Sequence, residues 1–156
     1  MNQTIPRLKI KEELYKACKT FVVEKQSTLQ HIMMSNQKAL ENESKSSAGD
    51  KHETGRAMLH LEMEKASQQI SVIAAMQETL DKIDLNGASD HVKLGSLILT
   101  DKGSYYLSIS AGLIKVKNQD FYAVSASSPI GRLLLGKNKG SVINLAEKQI
   151  TVLDVR

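Results

Sequence analysis

Apolar residues fall into two long stripes along this chain, and then the period changes. Between Lys11 and Lys45 there is no Pro or Gly. Leu14, Cys18, Phe21 or Val22, Leu29, Ile32 or Met33, and Ala39 or Leu40 recur there at steps of three and four, with Lys25 and Asn36 in the gaps. That spacing predicts a helix with a narrow, coiled-coil-like seam. A second stripe over 54–83 reads Leu59, Met63, Ala66, Ile70, Ile73, Met76 and Leu80. Asn86-Gly87 then offers a stop, with Gly87 available for the left-handed position after the helix. Pro6 and Pro129 fall outside both runs, so neither helix is expected to break. Helices of roughly 30 residues are about 45 Å long. In so short a chain they pack most simply on each other, as an antiparallel hairpin. Ser44 to Gly49 is poor in helix formers and is expected to make the bend. Asp50 is placed to cap the second helix, with Glu53 at its third position in a capping box.

After Asn86 the pattern alternates by two. Val92 to Leu99 and Tyr105 to Ile109 read as strands around a turn at Asp101-Lys102-Gly103. Leu113 to Val116 and Phe121 to Ser125 follow as short strands. Ser141 to Leu145 and Gln149 to Val155 make a closing hairpin around Ala146-Glu147-Lys148. Pro129 to Leu135 reads as a short helix entered through proline and left at Gly136. The expected fold class is α+β: a helical hairpin over 1–86, with its tip at 49–53, then a small β-rich domain over 87–156.

The 156 residues suffice for one ordinary domain or two small ones. Aromatics are only 4% and Trp is absent, so any core is aliphatic. The single cysteine, Cys18, excludes an intrachain disulfide, which fits a reducing compartment. No apolar run reaches transmembrane length and no signal-peptide core opens the chain, so a cytoplasmic protein without a membrane partner is expected. Net charge is +4, unevenly spread. Residues 1–46 carry eight Lys/Arg against five acids, 47–89 four against seven, and 90–156 nine against five. With so few aromatics this excess reads mainly as solubilising surface charge, not as a nucleic-acid groove.

Chemistry is scarce. Gly131 to Lys137 imitates a phosphate-binding loop, but Asn138 stands where a Ser or Thr should hold Mg²⁺, and Leu133-Leu134-Leu135 is a buried-helix signature. Histidines 31, 52, 60 and 91 form no zinc pattern. Cys18 lies on the first stripe with nothing nearby to activate it. Met33, Met58, Met63 and Met76 follow the helices and read as filler. No Ser-His-Asp order stands out. What remains is a pair of carboxylates at the hairpin bend, Asp50 and Glu53, with no pocket of their own. If they act chemically, they act in another protein's active site.

Two stretches carry a family resemblance. Gly49-Asp50-Lys51-His52-Glu53 has the Gly-Asp-x-x-Glu spacing, and Val124 to Lys137, through Ser128-Pro129-Ile130-Gly131-Arg132, has a Ser-Pro followed by a short apolar helix ending in Gly-Lys. In both, and in the order of parts, the chain resembles the Gre-type transcript cleavage factors of bacterial RNA polymerase. The resemblance implies an FKBP-like C-terminal domain and a protein that is not itself an enzyme. It implies RNA polymerase as partner, entered through the secondary channel, with the nascent RNA 3′ end and nucleic acid, DNA included, met only inside that complex. Asp50 and Glu53 take the roles that help hold the second Mg²⁺ and orient the attacking water on backtracked RNA. The chain has no cofactor of its own, the Mg²⁺ being shared with the polymerase. Ser128, Pro129 and Ile130 fall where the family docks. A monomer is expected.

The resemblance also has a break. Thr54-Gly55-Arg56-Ala57 lacks the Asn-Ala-acid-Tyr run usual after the tip, and Arg56 places a cation where an acid is common. Two other functions stay open: a channel-binding regulator that inhibits polymerase without cleavage, and a coiled-coil interaction module unrelated to transcription.

Overall fold

In the computed structural model the backbone is described for residues 4–44 and 49–156, and side chains for 9–43 and 53–156. The expected bend at Ser44 to Gly49 lies almost wholly outside the described residues, as do the side chains of Asp50, Lys51 and His52. Nine elements follow in order. They are α1 (Thr4–Ser44), α2 (Gly49–Asp81), β1 (Leu97–Thr100), β2 (Gly103–Ser108), β3 (Gly112–Val116), β4 (Gln119–Ser125), α3 (Pro129–Leu134), β5 (Val142–Leu145) and β6 (Lys148–Val155). The chain divides into two compact units, Met1–Phe21 with Glu78–Arg156, and Val22–Gln77. The α+β reading holds: a long helical pair comes first and a six-stranded sheet follows.

Three boundaries differ from expectation. α1 begins at Thr4, so Pro6 lies inside its first turn and not outside the helix. The cost there is small, because the first turn's N–H groups have no intrahelical partner in any case. α2 ends at Asp81, well before Asn86. Lys82 and Ile83 close it by donating to the carbonyls of Thr79 and Leu80, three residues back, at 3.2 and 3.1 Å. Gly87 is not among the left-handed glycines, so it is not the helix stop. Finally, β1 starts at Leu97 and not at Val92. Residues 92–96 form a loop instead, in which Lys93 N donates to Ser96 Oγ at 3.0 Å.

In the hairpin unit the two helices run antiparallel. Leu29 and Ile32 line one shallow groove with Glu62, Lys65, Ala66 and Gln69. Further along α1, Glu43 reaches back to Gly55, near the start of α2. The contacts thus advance along α1 as they retreat along α2. Buried and half-buried positions on α1 (Val22, Gln26, Leu29, Met33, Asn36, Leu40, Glu43) keep the three-four rhythm of a coiled-coil seam. Gln26, not Lys25, fills the first gap, and Met33, not Ile32, faces inward.

In the other unit the sheet order is β3-β4-β2-β1-β6-β5, antiparallel except for β2 beside β4. Consecutive residues such as Leu97-Ile98 and Tyr106-Leu107 are all buried. That requires cover on both faces of the sheet. On one face Ile98, Leu107, Ile143, Ile150 and Val152 pack with Ile130 and Leu134 of α3. On the other, Cys18 of α1 meets Ser108 at 3.5 Å, and Tyr15 donates to the Leu80 carbonyl at 3.2 Å.

Candidate functional site

Two places were singled out by sequence: the start of α2 and the entry to α3. At the first, Gly49 and Asp50 are already helical. Asp50 is therefore in the first turn of α2, not the residue that precedes it. Asp50 and Glu53 stand three apart, which puts both positions on the same side of that turn. Acidic positions there complement the positive end of the helix dipole. Glu53 is exposed, as are Thr54, Arg56 and Ala57, while Gly55 is half-buried against Glu43. A Cβ at position 55 would come 3.0 Å from Glu43 Oε1, the end of a flexible side chain that can shift aside. In the hairpin unit, Glu53 lies roughly 35 Å along α2 from Gln77, where that unit ends. The carboxylate pair thus belongs to the far end of the hairpin.

Two carboxylates on one helical turn cannot hold a resident ion by themselves. Mg²⁺ takes near-octahedral oxygen coordination, often one or two carboxylates with water and phosphate making up the rest. Among the described residues no group of three or more His, Cys, Asp or Glu side chains could hold a metal.

At the second place the local chemistry is structural as well as exposed. Ser128 is the N-cap of α3, at φ −69° and ψ 158°. Its Oγ accepts from Gly131 N at 3.0 Å and donates to the Ser125 carbonyl at 2.7 Å. Pro129 is the first helical residue, where its missing N–H costs nothing. Ile130 and Leu134 turn into the core, and Gly131 is buried with them. Only Pro129 of the three expected docking residues is exposed, Ser128 being half-buried and Ile130 buried. The structure brings the three together in sequence and in one turn, but aims them differently. Sequence reasoning missed Arg132 and Leu135. They follow Pro129 at steps of three and are exposed with it. The helical period of Pro129-Arg132-Leu135 was the available signal.

Cys18 and Tyr106 sit in the sheet unit and are buried. Cys18 has no exposed surface, and burial pushes its thiol above the usual range, against the Ser108 hydrogen bond. That disfavours the thiolate a nucleophile needs. Tyr106 is likewise buried, and its hydroxyl has no hydrogen-bond partner among the described residues. Burial pushes its phenol strongly upward, with the nearby Cys18 and Tyr15 adding to the shift. His31 and His60 are exposed on the helices. Among the described residues no helix is long and apolar enough to cross a membrane.

No family model matches the chain. No curated protein matches it either. Among solved structures, the GreA factor homolog 1 (Gfh1) protein of Thermus thermophilus is similar over 91% of this chain and 94% of its own, at 19% identity and a TM-score of 0.34. A structure of the transcription factor Gfh1 covers 90% of this chain and 92% of its own, at 16% identity and a TM-score of 0.33. A likeness at that level carries no argument about this chain.

Proposed function

We propose that this chain is a Gre-like elongation factor that binds RNA polymerase through its secondary channel and stimulates cleavage of backtracked RNA. The observation that carries the reading is the placement of Asp50 and Glu53. The Gly-Asp-x-x-Glu stretch falls in the first turn of α2, at the far end of an antiparallel hairpin, with Glu53 exposed. A second support is that the Ser-Pro signature folds as a capped helix on a sheet, as the family resemblance requires.

The chemistry of the reading is borrowed. Among the described residues no group of three or more His, Cys, Asp or Glu side chains could hold a metal, and on this reading the carboxylates work where another protein supplies the remaining ligands. Mg²⁺ in such a site lowers the pKa of bound water and neutralises charge on the reacting phosphate. Asp50 and Glu53 would supply hard oxygen donors to that ion and help orient the attacking water. The long hairpin carries them into a channel too narrow for a globular domain. The chain is then an accessory factor, not an enzyme, cytoplasmic because its partner is.

The test is RNA cleavage in a purified, backtracked elongation complex of the cognate polymerase, in Mg²⁺. Wild-type protein is expected to shorten the transcripts. The Asp50→Ala/Glu53→Ala double variant is expected to lose at least 100-fold of that stimulation, on the order of 3 kcal/mol, while still binding. Slowed elongation without cleavage by either protein would replace this reading with the channel-blocking inhibitor. No effect on any transcription step would remove polymerase from the account and leave the coiled-coil module.

A further inference from the structure

We propose that Lys11, Asp84 and Lys93 form a binding site for free inorganic phosphate, where α1 faces the segment between α2 and β1. All three lie in one compact unit, Met1–Phe21 with Glu78–Arg156, and the site does not depend on the polymerase reading. Lys11 is the anomaly. It is only 6% exposed, and among the described residues its ammonium is in no hydrogen bond or ion pair. Lys102, Lys115 and Arg156 of the same unit each pair with an aspartate. A buried charge without a partner is costly, so Lys11 calls for a counter-charge.

Helical register shows where Lys11 is aimed. Tyr15, one turn further along α1, donates to the Leu80 carbonyl at 3.2 Å. Residues four apart share a helix face, and the two helices run in opposite directions. Lys11 therefore faces the chain about one turn beyond Leu80, where Asp84 stands. Asp84 Oδ1 already accepts from Asn86 N at 3.0 Å, and its carbonyl accepts from Gly87 N at 3.2 Å. That turn brings Oδ2 over Gly87, and Lys93 Nζ comes to the same place. A Cβ on Gly87 would lie 3.0 Å from Lys93 Nζ and 3.1 Å from Asp84 Oδ2. Glycine keeps that space free of side chain. Lys93 is itself fixed, its N–H donating to Ser96 Oγ and its carbonyl accepting from Ser96 N, both at 3.0 Å. Asp84 and Lys93 thus converge without forming an ion pair among the described residues. The electrostatics agree. Burial and then Lys93 hold the Lys11 ammonium below its ordinary value, with Asp84 opposing both.

Two ammoniums and one carboxylate define the ligand. The cations call for two anionic oxygens, and the surplus positive charge for a net negative group. Lysine serves such oxygens as a point charge and needs no fixed fork. Asp84 repels a further anionic oxygen but accepts a hydrogen bond from a hydroxyl. Hydrogenphosphate carries both kinds of oxygen at neutral pH. Sulfate, a carboxylate and the phosphodiester of a nucleic acid have no hydroxyl, and a phosphate monoester has mostly lost its own above a second pKa of about 6. Bound phosphate would join α1 to the 84–93 segment through Lys11 and Lys93.

The experiment uses the full-length chain at about pH 7.5, where the monoester is a dianion. Thermal unfolding is followed by tyrosine emission as phosphate, sulfate or glycerol phosphate replaces chloride at constant ionic strength. An anion that binds only the native state raises the melting temperature with its concentration. Phosphate is expected to bind about tenfold more tightly than the other two, because a site built for a hydroxyl rejects an analogue without one. General salt stabilisation would instead rank sulfate with phosphate. Lys11→Met and Lys93→Met are each expected to lose the phosphate response. Lys139→Met, which removes an exposed lysine from the same unit, is expected to keep it. Asp84→Asn retains an oxygen for Asn86 N and puts an amide donor in place of Oδ2. It is expected to bring sulfate binding up to that of phosphate. Equal responses to phosphate and sulfate in wild type, or no response to either, overturn the proposal. A phosphate response that survives in Lys93→Met, or unchanged discrimination in Asp84→Asn, overturns it as well. Lys93 is half-buried, so its variant carries the test even if Lys11→Met fails to fold.

Discussion

Gly131 shows most directly how one residue sets this fold. A Cβ there would lie 1.9 Å from the Ser125 carbonyl oxygen and 2.9 Å from Ser128 Oγ. No rotamer relieves that, because the clash is with backbone. Gly131 is needed for closeness and not for an unusual φ, since it is absent from the positive-φ glycines. Its N–H donates to Ser128 Oγ and its carbonyl accepts from Leu135 N at 3.0 Å, so the short helix closes around it. Gly131→Ala is expected to lose about 3 kcal/mol, at the upper end for overpacking because the backbone must move. Urea unfolding followed by tyrosine emission measures it. All four tyrosines (15, 105, 106 and 122) lie within Met1–Phe21 and Glu78–Arg156, so the signal reports that unit alone. A loss under about 1 kcal/mol would show that β4 and α3 can separate freely. The sequence marks 131 as glycine inside a helical run, an anomaly in propensity. It does not say which atom stands in the way, since that depends on how the turn after β4 folds the Ser125 carbonyl back over the start of α3.

At the scale of elements, the helical pair was the most legible part, and Asn36 is its exception. All seven apolar positions expected on α2, from Leu59 to Leu80, are buried or half-buried. A three-four stripe has only one way to face a partner helix, so no distant contact is needed to read it. Asn36 was seen as a gap in the stripe, and the structure buries it to 7% exposure with Nδ2 lacking any partner among the described residues. A buried, unpaired amide donor costs about 1–3 kcal/mol. Polar residues at such seam positions trade stability for register. Asn36→Leu is therefore expected to stabilise the hairpin unit by about 1 kcal/mol, seen as a later helix transition in urea by far-UV circular dichroism. A destabilised variant would mean that Asn36 is satisfied by water or by a partner. Helix ends were less legible than helix interiors. Nothing in Lys82-Ile83-Asp84 forbids a helix, yet α2 stops at Asp81. Ile83 is instead held beside Gly95, where a Cβ would sit 2.8 Å from Ile83 Cγ2. That contact joins residues twelve apart and has no local signature. The tight turns were found from their flanking strands and not from their residues. Lys117-Asn118 and Ala146-Glu147 all have positive φ between 49° and 66°, a conformation for which only Asn is a favoured residue here.

Whole-molecule stability against pH turns on a lysine that the pattern hides. Lys11 is only 6% exposed, in the same unit as the sheet. It stands seven residues before Cys18 and three before Leu14, which is a seam position, so periodicity could have found it. Its charge made it read as surface. Burial is the main force holding its ammonium below the ordinary value of 10.5, Lys93 pushes the same way, and Asp84 opposes them. The sign follows from proton binding. The native state holds this proton less tightly than the unfolded chain, so between the depressed pKa and 10.5 the unfolded chain binds more protons, and stability rises with pH. Below the depressed pKa the full penalty of burying the charge is present. Lys11→Met keeps the apolar stem and removes the charge. It is expected to raise the melting temperature of the sheet unit by a few degrees at pH 7, and by less as pH approaches 10. Differential scanning calorimetry of wild type and variant at several pH values measures this, the difference between the two curves cancelling the other lysines. A variant that melts lower at neutral pH would mean that Asp84 outweighs both burial and Lys93. The Lys11 ammonium would then be a buried ion pair that holds α1 to the 84–93 loop, and not a penalty the unit carries.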